Sequence, residues 1–199
     1  MRVIAGKYRS RQLKSLKGMA LRPTSDRLRE TLFNILGDRV ADAWFVDAFA
    51  GTGAVGIEAL SRGAKEVVFI ERHAPAATLI KKNLQSLAVV GGVRVLPLDA
   101  LKGLETLGKG NSDVAETRAI VFLDPPYGSA AEYDRVLSFL GSGTLLGEGN
   151  LVIAEHSRRF ALPDVVGKLQ RVRVLRQGDA TLSFYRFVEN TPEGEAAAE

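Results

Sequence analysis

With 199 residues, 46% of them hydrophobic and 25% charged, the chain is long enough for one domain with a real core. It contains no cysteine, which excludes disulfides and thiolate metal sites. No apolar run approaches the roughly 20 residues a membrane span needs, and the basic start MRVIAGKYRSRQLK lacks the apolar stretch of a secretion signal. A soluble, cytoplasmic, monomeric protein is the expectation. The net charge of +4 is unevenly spread: residues 1–39 hold ten basic side chains against Asp26, Glu30 and Asp38, so this segment carries +7 and the remaining 160 residues carry −3. Such a basic leading segment fits a polyanionic partner held through phosphates, although a solvated arm would look the same.

In chain order, RVIA and QLKSL have some strand character, punctuated by Gly6 and Gly18. RPTSDRLRETLFNIL then reads as a helix capped by Thr24 or Ser25, with Leu28, Leu32, Phe33, Ile35 and Leu36 at helical spacing and Gly37 as its stop. From Trp44 the pattern alternates. Strands are expected at 44–48, 66–71, 93–99, 119–124 and 150–156. Helices are expected at 54–63, 75–87, near ALKGLETL, and at 130–140, with a polar loop over 107–118. Strands alternating with helices predict a parallel sheet with helices on both faces. The end differs: QRVRVLRQGDATLSFYRF reads as two strands turning at Gln177-Gly178-Asp179, an antiparallel hairpin. The acidic tail 189–199 reads as disordered.

Ligands of open α/β sheets bind at the carboxyl ends of the strands, and four such ends here carry acids. The first is Asp47, followed by AFAGTGAVG. Gly51, Gly53 and Gly56 match the dinucleotide pattern G-x-G-x-x-G. In that pattern, however, the first glycine follows the strand almost directly, whereas here Asp47 precedes Gly51 by four positions. A carboxylate there repels a pyrophosphate and attracts an ammonium, while loop amides at a helix start favour a carboxylate. S-adenosylmethionine offers both groups. Glycines that serve only a tight turn are the plainer alternative. Glu71 ends the second strand and suits ribose hydroxyls in either cofactor class. Asp99 ends the third and could accept from the adenine amine, or act simply as a helix cap.

Asp124-Pro125-Pro126-Tyr127-Gly128 ends the fourth strand. Two prolines remove two backbone donors and leave carbonyl acceptors. Beside the Asp124 carboxylate and the flat face of Tyr127, they suit a planar base bearing an exocyclic amine. Acceptors aimed at its N–H groups return electron density to the amine nitrogen and orient it toward a sulfonium methyl, so positioning and electrostatics carry the rate and no metal is needed.

This ordered set resembles a class I S-adenosylmethionine-dependent methyltransferase with the [DNS]-P-P-[YFW] motif of amine methylation. The resemblance implies a Rossmann-like, seven-stranded, mostly parallel sheet. RVIAGKYRSRQL, RPTSDRLRETLFNIL and the closing GDATLSFYRF extend the resemblance to the RsmD-like family, which modifies guanine N2 in bacterial small-subunit (16S) rRNA. It implies a catalytic set of Asp124, Pro125, Pro126 and Tyr127. The cofactor set is Thr24, Asp47, Phe49, Gly51, Gly53, Glu71, Arg72, Asp99, Ala100 and Asp124. RNA contacts fall to Lys7, Arg9, Arg11, Arg22 and Arg27. Residues 1–21 are then an RNA-binding arm or small hairpin, 22–188 the methyltransferase domain, and the substrate 16S rRNA within an assembly intermediate.

Competing readings are methylation of another amine (adenine N6 or a protein glutamine), nicotinamide-dependent oxidoreduction, and RNA binding without a cofactor. His73 and His156 tempt an acid–base role, yet a methylated amine is acidic enough to lose its proton unaided. Arg158 and Arg159 meet either RNA or solvent.

Overall fold

The computed structural model describes residues 1–15, 25–110, 118–126 and 130–189. Apolar runs buried on both faces become the parallel strands β1 (Trp44–Asp47), β2 (Glu66–Ile70), β4 (Ala119–Leu123) and β5 (Leu151–Ser157), while β3 (Val93–Leu96) is half-buried at the sheet edge. The chain then adds β6 (Val165–Val166), β7 (Leu169–Gln177) and β8 (Ala180–Phe187). The sheet order is β3-β2-β1-β4-β5-β8-β7-β6. The first five strands pair in parallel and the last three antiparallel. The sheet therefore has one strand more than the resemblance implies. Arg171 is the reason: its guanidinium holds the Asp164 carboxylate and the Leu162 carbonyl, clamping the two-residue β6 to the edge.

Helices α1 (Asp26–Leu36), α2 (Ala54–Ser61) and α3 (Ala74–Ser86) share one side of the sheet, and α4 (Ala100–Gly110) and α5 (Ala130–Gly141) the other, each with its own apolar core. Ser25 caps α1 as expected, its Oγ accepting from Leu28 N at 3.1 Å, and Gly37 ends the helix. Helix α4 runs on to Gly110, so residues 107–110 are helical rather than loop; burial of Leu104 and Leu107 against the sheet outweighs the weak helix propensity of the glycines nearby. The rest of that expected loop, 111–117, and the tail beyond 189 lie outside the described residues. None of the described helices is long and apolar enough to cross a membrane.

Residues 1–15 form a docked loop, not strands, joined across itself by a single bridge between Arg2 and Gln12. Its anchor is Glu58, a lone acid in the apolar run AVGIEALS, with no exposed surface. Oε2 accepts from Ile4 N at 2.8 Å, and Oε1 accepts from Ala5 N at 3.0 Å and from Arg62 Nε at 2.8 Å. The equally buried Arg29 lies 3.8 Å from Oε2 and donates to the Arg2 carbonyl at 2.6 Å. Lower down, Lys7 N and Tyr8 N donate to the Ser61 carbonyl and hydroxyl, and Asn83 exchanges two hydrogen bonds with the Lys14 backbone. Gly6 makes this approach possible: with φ +80°, a Cβ there would sit 1.9 Å from the Ser61 carbonyl oxygen. Gly6→Ala is expected to cost about 1–3 kcal/mol and to speed amide exchange at Val3, Lys7 and Tyr8. Unchanged exchange at these amides would show that the loop does not depend on this contact.

Candidate active site

The order of strands reverses at β1, which lies between β2 and β4, so the crevice at a topological switch point opens over the carboxyl ends of β1 and β4. Register aligns Asp47 with Phe69 on one side and Phe122 on the other, and Ala48 N donates to the Phe122 carbonyl at 3.0 Å. Asp47, Glu71, Asp99 and Asp124 thus follow four adjacent strands along one rim. The turn after β1 is bolted from both sides. Asp47, 2% exposed, accepts from Gly56 N at 2.9 Å, satisfying an amide of the first turn of α2. Glu71 accepts from Gly51 N and from His73 N, both at 2.7 Å, so one carboxylate ties the glycine turn to the start of α3.

The three glycines have different duties. Gly51 and Gly53 take positive φ values of 52° and 78°, and a Cβ on Gly51 would meet nothing closer than the Phe49 carbonyl at 4.0 Å, leaving open space above the turn. Gly56 faces inward: a Cβ there would lie 2.3 Å from the Phe69 ring, so it lets α2 lie close on the sheet. The amides of Gly51 and Gly53 are engaged within the protein, the second with the Ala50 carbonyl at 2.6 Å. Neither amide is therefore available to a ligand carboxylate.

Burial pushes the Asp47 carboxyl from 3.8 up to about 7, against the Gly56 hydrogen bond and with a further push from the Glu71 charge. Between about pH 4 and pH 7 the folded protein keeps a proton that the unfolded chain has released. The ligand-free protein is therefore expected to lose stability as pH rises through this window, by at most about 1.4 kcal/mol per pH unit, and to level off above it. Urea titrations from pH 5 to pH 8 would measure this, with Asp47→Asn flattening the slope; an identical slope in both proteins would contradict it.

Asp99 does cap α4, accepting from Leu101 N at 3.1 Å, and lies 3.8 Å from Arg135 of α5. Ala100 is buried in the first turn of α4, Phe49 packs half-buried against the core on the α4 side, and Arg72 is exposed. At the tip of β4, Asp124 is half-buried, Pro125 buried and Pro126 exposed. Tyr127, Thr24 and Arg22 lie outside the described residues. Lys7, Arg9, Arg11 and Arg27 are exposed. Arg9 and Arg27 line a cleft of about 330 Å³ with Arg2, Asp26 and Glu30, while Lys7 and Arg11 sit by the last residues of α2 and α3, Ser61 and Ser86, away from the glycine turn. His73 is exposed and its backbone serves Glu71. His156 is housed: its ring nitrogens meet the Ser157 carbonyl and Ser183 Oγ, its ring packs edge-on to Tyr133 and Phe160, and burial holds its pKa below the ordinary value.

A parallel run β3-β2-β1-β4-β5 returning through antiparallel strands, with a glycine turn at the switch point, defines a Rossmann-like methyltransferase fold of class I. The chain belongs to the RsmD-like methyltransferase family: the family model described as conserved hypothetical protein 95 matches residues 1–186. Ribosomal RNA small subunit methyltransferase D of Escherichia coli is 33% identical over 199 residues, covering 100% of this chain and 94% of that protein. The solved structure of Escherichia coli yhhF has a TM-score of 0.78 at 31% identity, over 94% of this chain and 97% of that one. In fold alone, an RNA methyltransferase from Salinibacter ruber in complex with S-adenosyl-L-homocysteine is also similar, with a TM-score of 0.59 at 17% identity over 86% and 97% of the two chains.

Proposed function

We propose that this chain transfers a methyl group from S-adenosylmethionine to the exocyclic N2 amine of one guanine in 16S rRNA. The observation that carries this reading is the adjacency of β1 and β4, because it puts the Asp124-Pro125-Pro126 acceptors beside the glycine turn. The relative named as a small-subunit rRNA methyltransferase, matched over its nearly full length, supports the RNA substrate. The cytoplasm, where that RNA is made and assembled, is the corresponding compartment, and a monomer acting on an assembly intermediate is the form in which we picture it. In this reading residues 1–21 contact RNA, 22–188 form the methyltransferase domain and 189–199 are a tail.

The residues present fit the cofactor. The open space over Gly51 admits its methionine part, and a buried Asp47 poised near neutrality gains a counter-charge from an ammonium. Glu71, already fixed by two amides, has lone pairs left for ribose hydroxyls; Phe49, Asp99 and Ala100 border the adenine side, and Thr24 and Arg72 complete the set. When bound, S-adenosylmethionine supplies an electrophilic sulfonium methyl. The rest belongs to the chain. Asp124 and the Pro125 carbonyl accept the N–H groups of the guanine amine, hold its lone pair in line and disperse the positive charge that develops on nitrogen, with Tyr127 as the stacking face. The proton leaves afterwards without a dedicated base.

The test is incubation with labelled cofactor and small-subunit particles from a strain lacking this protein, followed by mapping of the modified base. Label on a guanine N2 is expected. Label on an adenine amine or a protein glutamine would favour a different amine, and tight NAD binding without S-adenosylhomocysteine binding would overturn the reading. If an ammonium meets Asp47, S-adenosylhomocysteine binding should release a proton near pH 7. Its affinity should then weaken by up to tenfold for each pH unit below that value, and calorimetry in buffers of different ionisation heat would detect the release. Affinity independent of pH between 5.5 and 8 (a window of about 2.5 units around the raised value) would remove Asp47 from this role.

A further inference from the structure

Beyond the basic leading segment, a second set of arginines stands on the rim that carries Asp124. Strand β7 runs in the same direction as β5, since both are antiparallel to β8, so the β7–β8 turn lies at the carboxyl end of β5. Register puts His156, Thr181 and Arg176 in one row across β5, β8 and β7, and Arg158 N donates to the Asp179 carbonyl in the turn at 2.8 Å. Leu123 pairs with Ala154, so Asp124 and Pro125 continue level with Glu155 and His156. With strands about 4.8 Å apart, the Arg176 backbone is roughly 15 Å from that of Pro125 and Arg158 is nearer. Arg158, Arg159 and Arg176 are all exposed, and none forms an ion pair among the described residues. Asp179 is the acid of this turn, leaving the tip with a surplus of two positive charges.

We propose that Arg158, Arg159 and Arg176 form a phosphate-binding rim that carries the RNA strand away from the target base, over the tips of β5, β7 and β8. The proposal rests on the functional reading above, because the rim matters only if a nucleotide enters beside Asp124. It divides the sheet top in two: β1, β2 and β3 serve the cofactor, and the antiparallel half serves the substrate backbone. Arginine suits this place, since its planar fork pairs with phosphate oxygens two at a time. A different duty for Arg176 would be to guard β7, which past Arg171 has no strand paired on its outer side among the described residues and exposes Val172 and Val174.

The experiment compares the parent chain, the triple variant R158Q/R159Q/R176Q, and R186Q, which alters an exposed arginine of β8 paired with Leu151 at the opposite end of the sheet. Binding to a protein-free 16S rRNA transcript is measured across about 50–200 mM salt, with S-adenosylhomocysteine affinity as the check on folding. The triple variant is expected to lower the slope of log affinity against log salt by about 2, at roughly 0.7 per lost phosphate contact, with cofactor-product affinity unchanged and R186Q like the parent. A parent-like slope in the triple variant, while the parent methylates RNA, overturns the rim alone. Self-association of the variant with an unchanged slope assigns the arginines to edge protection and also overturns it. Arginine-dependent binding to small-subunit particles but not to free RNA would point to an acidic protein instead and count against it. A parent that neither binds nor methylates RNA fails the functional reading, and the rim falls with it.

Discussion

Asp124→Ala is expected to slow methyl transfer to RNA by at least about 10²–10³-fold while leaving S-adenosylhomocysteine affinity within a few-fold. The asymmetry follows from position. Asp124 stands one residue past β4, half-buried, followed by two prolines that cannot donate. In the proposed reaction its carboxylate would act most where positive charge grows on the attacking nitrogen, in the transition state and not in the cofactor complex. Asp124→Asn keeps one carbonyl acceptor and loses the charge, so it should fall between the parent and the alanine variant. Single-turnover kinetics with saturating cofactor would measure both. Turnover of the alanine variant at the parent rate would remove Asp124 from the chemistry, and equal losses in cofactor binding and transfer would make it a cofactor residue only.

The second large effect concerns stability, and it arises far from the chemistry. Glu58→Ala should destabilise the fold by about 3–5 kcal/mol, because the fully buried Arg29 is left with only the part-exposed Asp26, 3.1 Å away, as counter-charge. The Ile4 and Ala5 amides and Arg62 Nε lose their acceptor at the same time. Glu58→Gln tests the charge more narrowly: it retains an acceptor oxygen but turns an NH₂ group toward donors. Urea unfolding of both variants, with exchange rates of the Ile4 and Ala5 amides, gives the answer. A loss below about 1 kcal/mol would mean that the cluster is worth no more than a surface ion pair. On the proposed function the same contacts would bear on RNA binding, since the loop that Glu58 anchors carries Arg9.

Much of this architecture is legible in one dimension. Strands buried on both faces must be continuous apolar runs, and WFVD, EVVFI, AIVFL and LVIAEHS are such runs, separated by helical periods of Leu and Ala. The acids show for a related reason: a carboxylate closing an apolar strand has no packing role there, so Asp47, Glu71, Asp99 and Asp124 stand out. Glu58 gave a similar signal, a charge inside an apolar helix, but its partners are backbone amides more than fifty residues away and no local pattern names them. Arg29 shares the helical face of Phe33 and Leu36 and is completely buried, yet nothing near it in the chain names the Glu58 carboxylate it meets. The two residues of β6 are too few to show alternation.

What the order of amino acids determined by itself was the alternation of elements, the hairpin at the end, the glycine turn and the chemistry available at each strand tip. These depend on local periodicity, backbone freedom and side-chain type, which neighbours in the chain settle among themselves. The tertiary structure decided what proximity alone can decide. It made Gly56 a packing residue against Phe69 and spent the Gly51 amide on Glu71. It raised Asp47 toward neutrality by removing it from water, fixed the leading segment onto α2, and set Arg176 on the rim of Asp124. Each of these is a contact, a desolvation or a register between distant segments, and such quantities exist only once the sheet has formed.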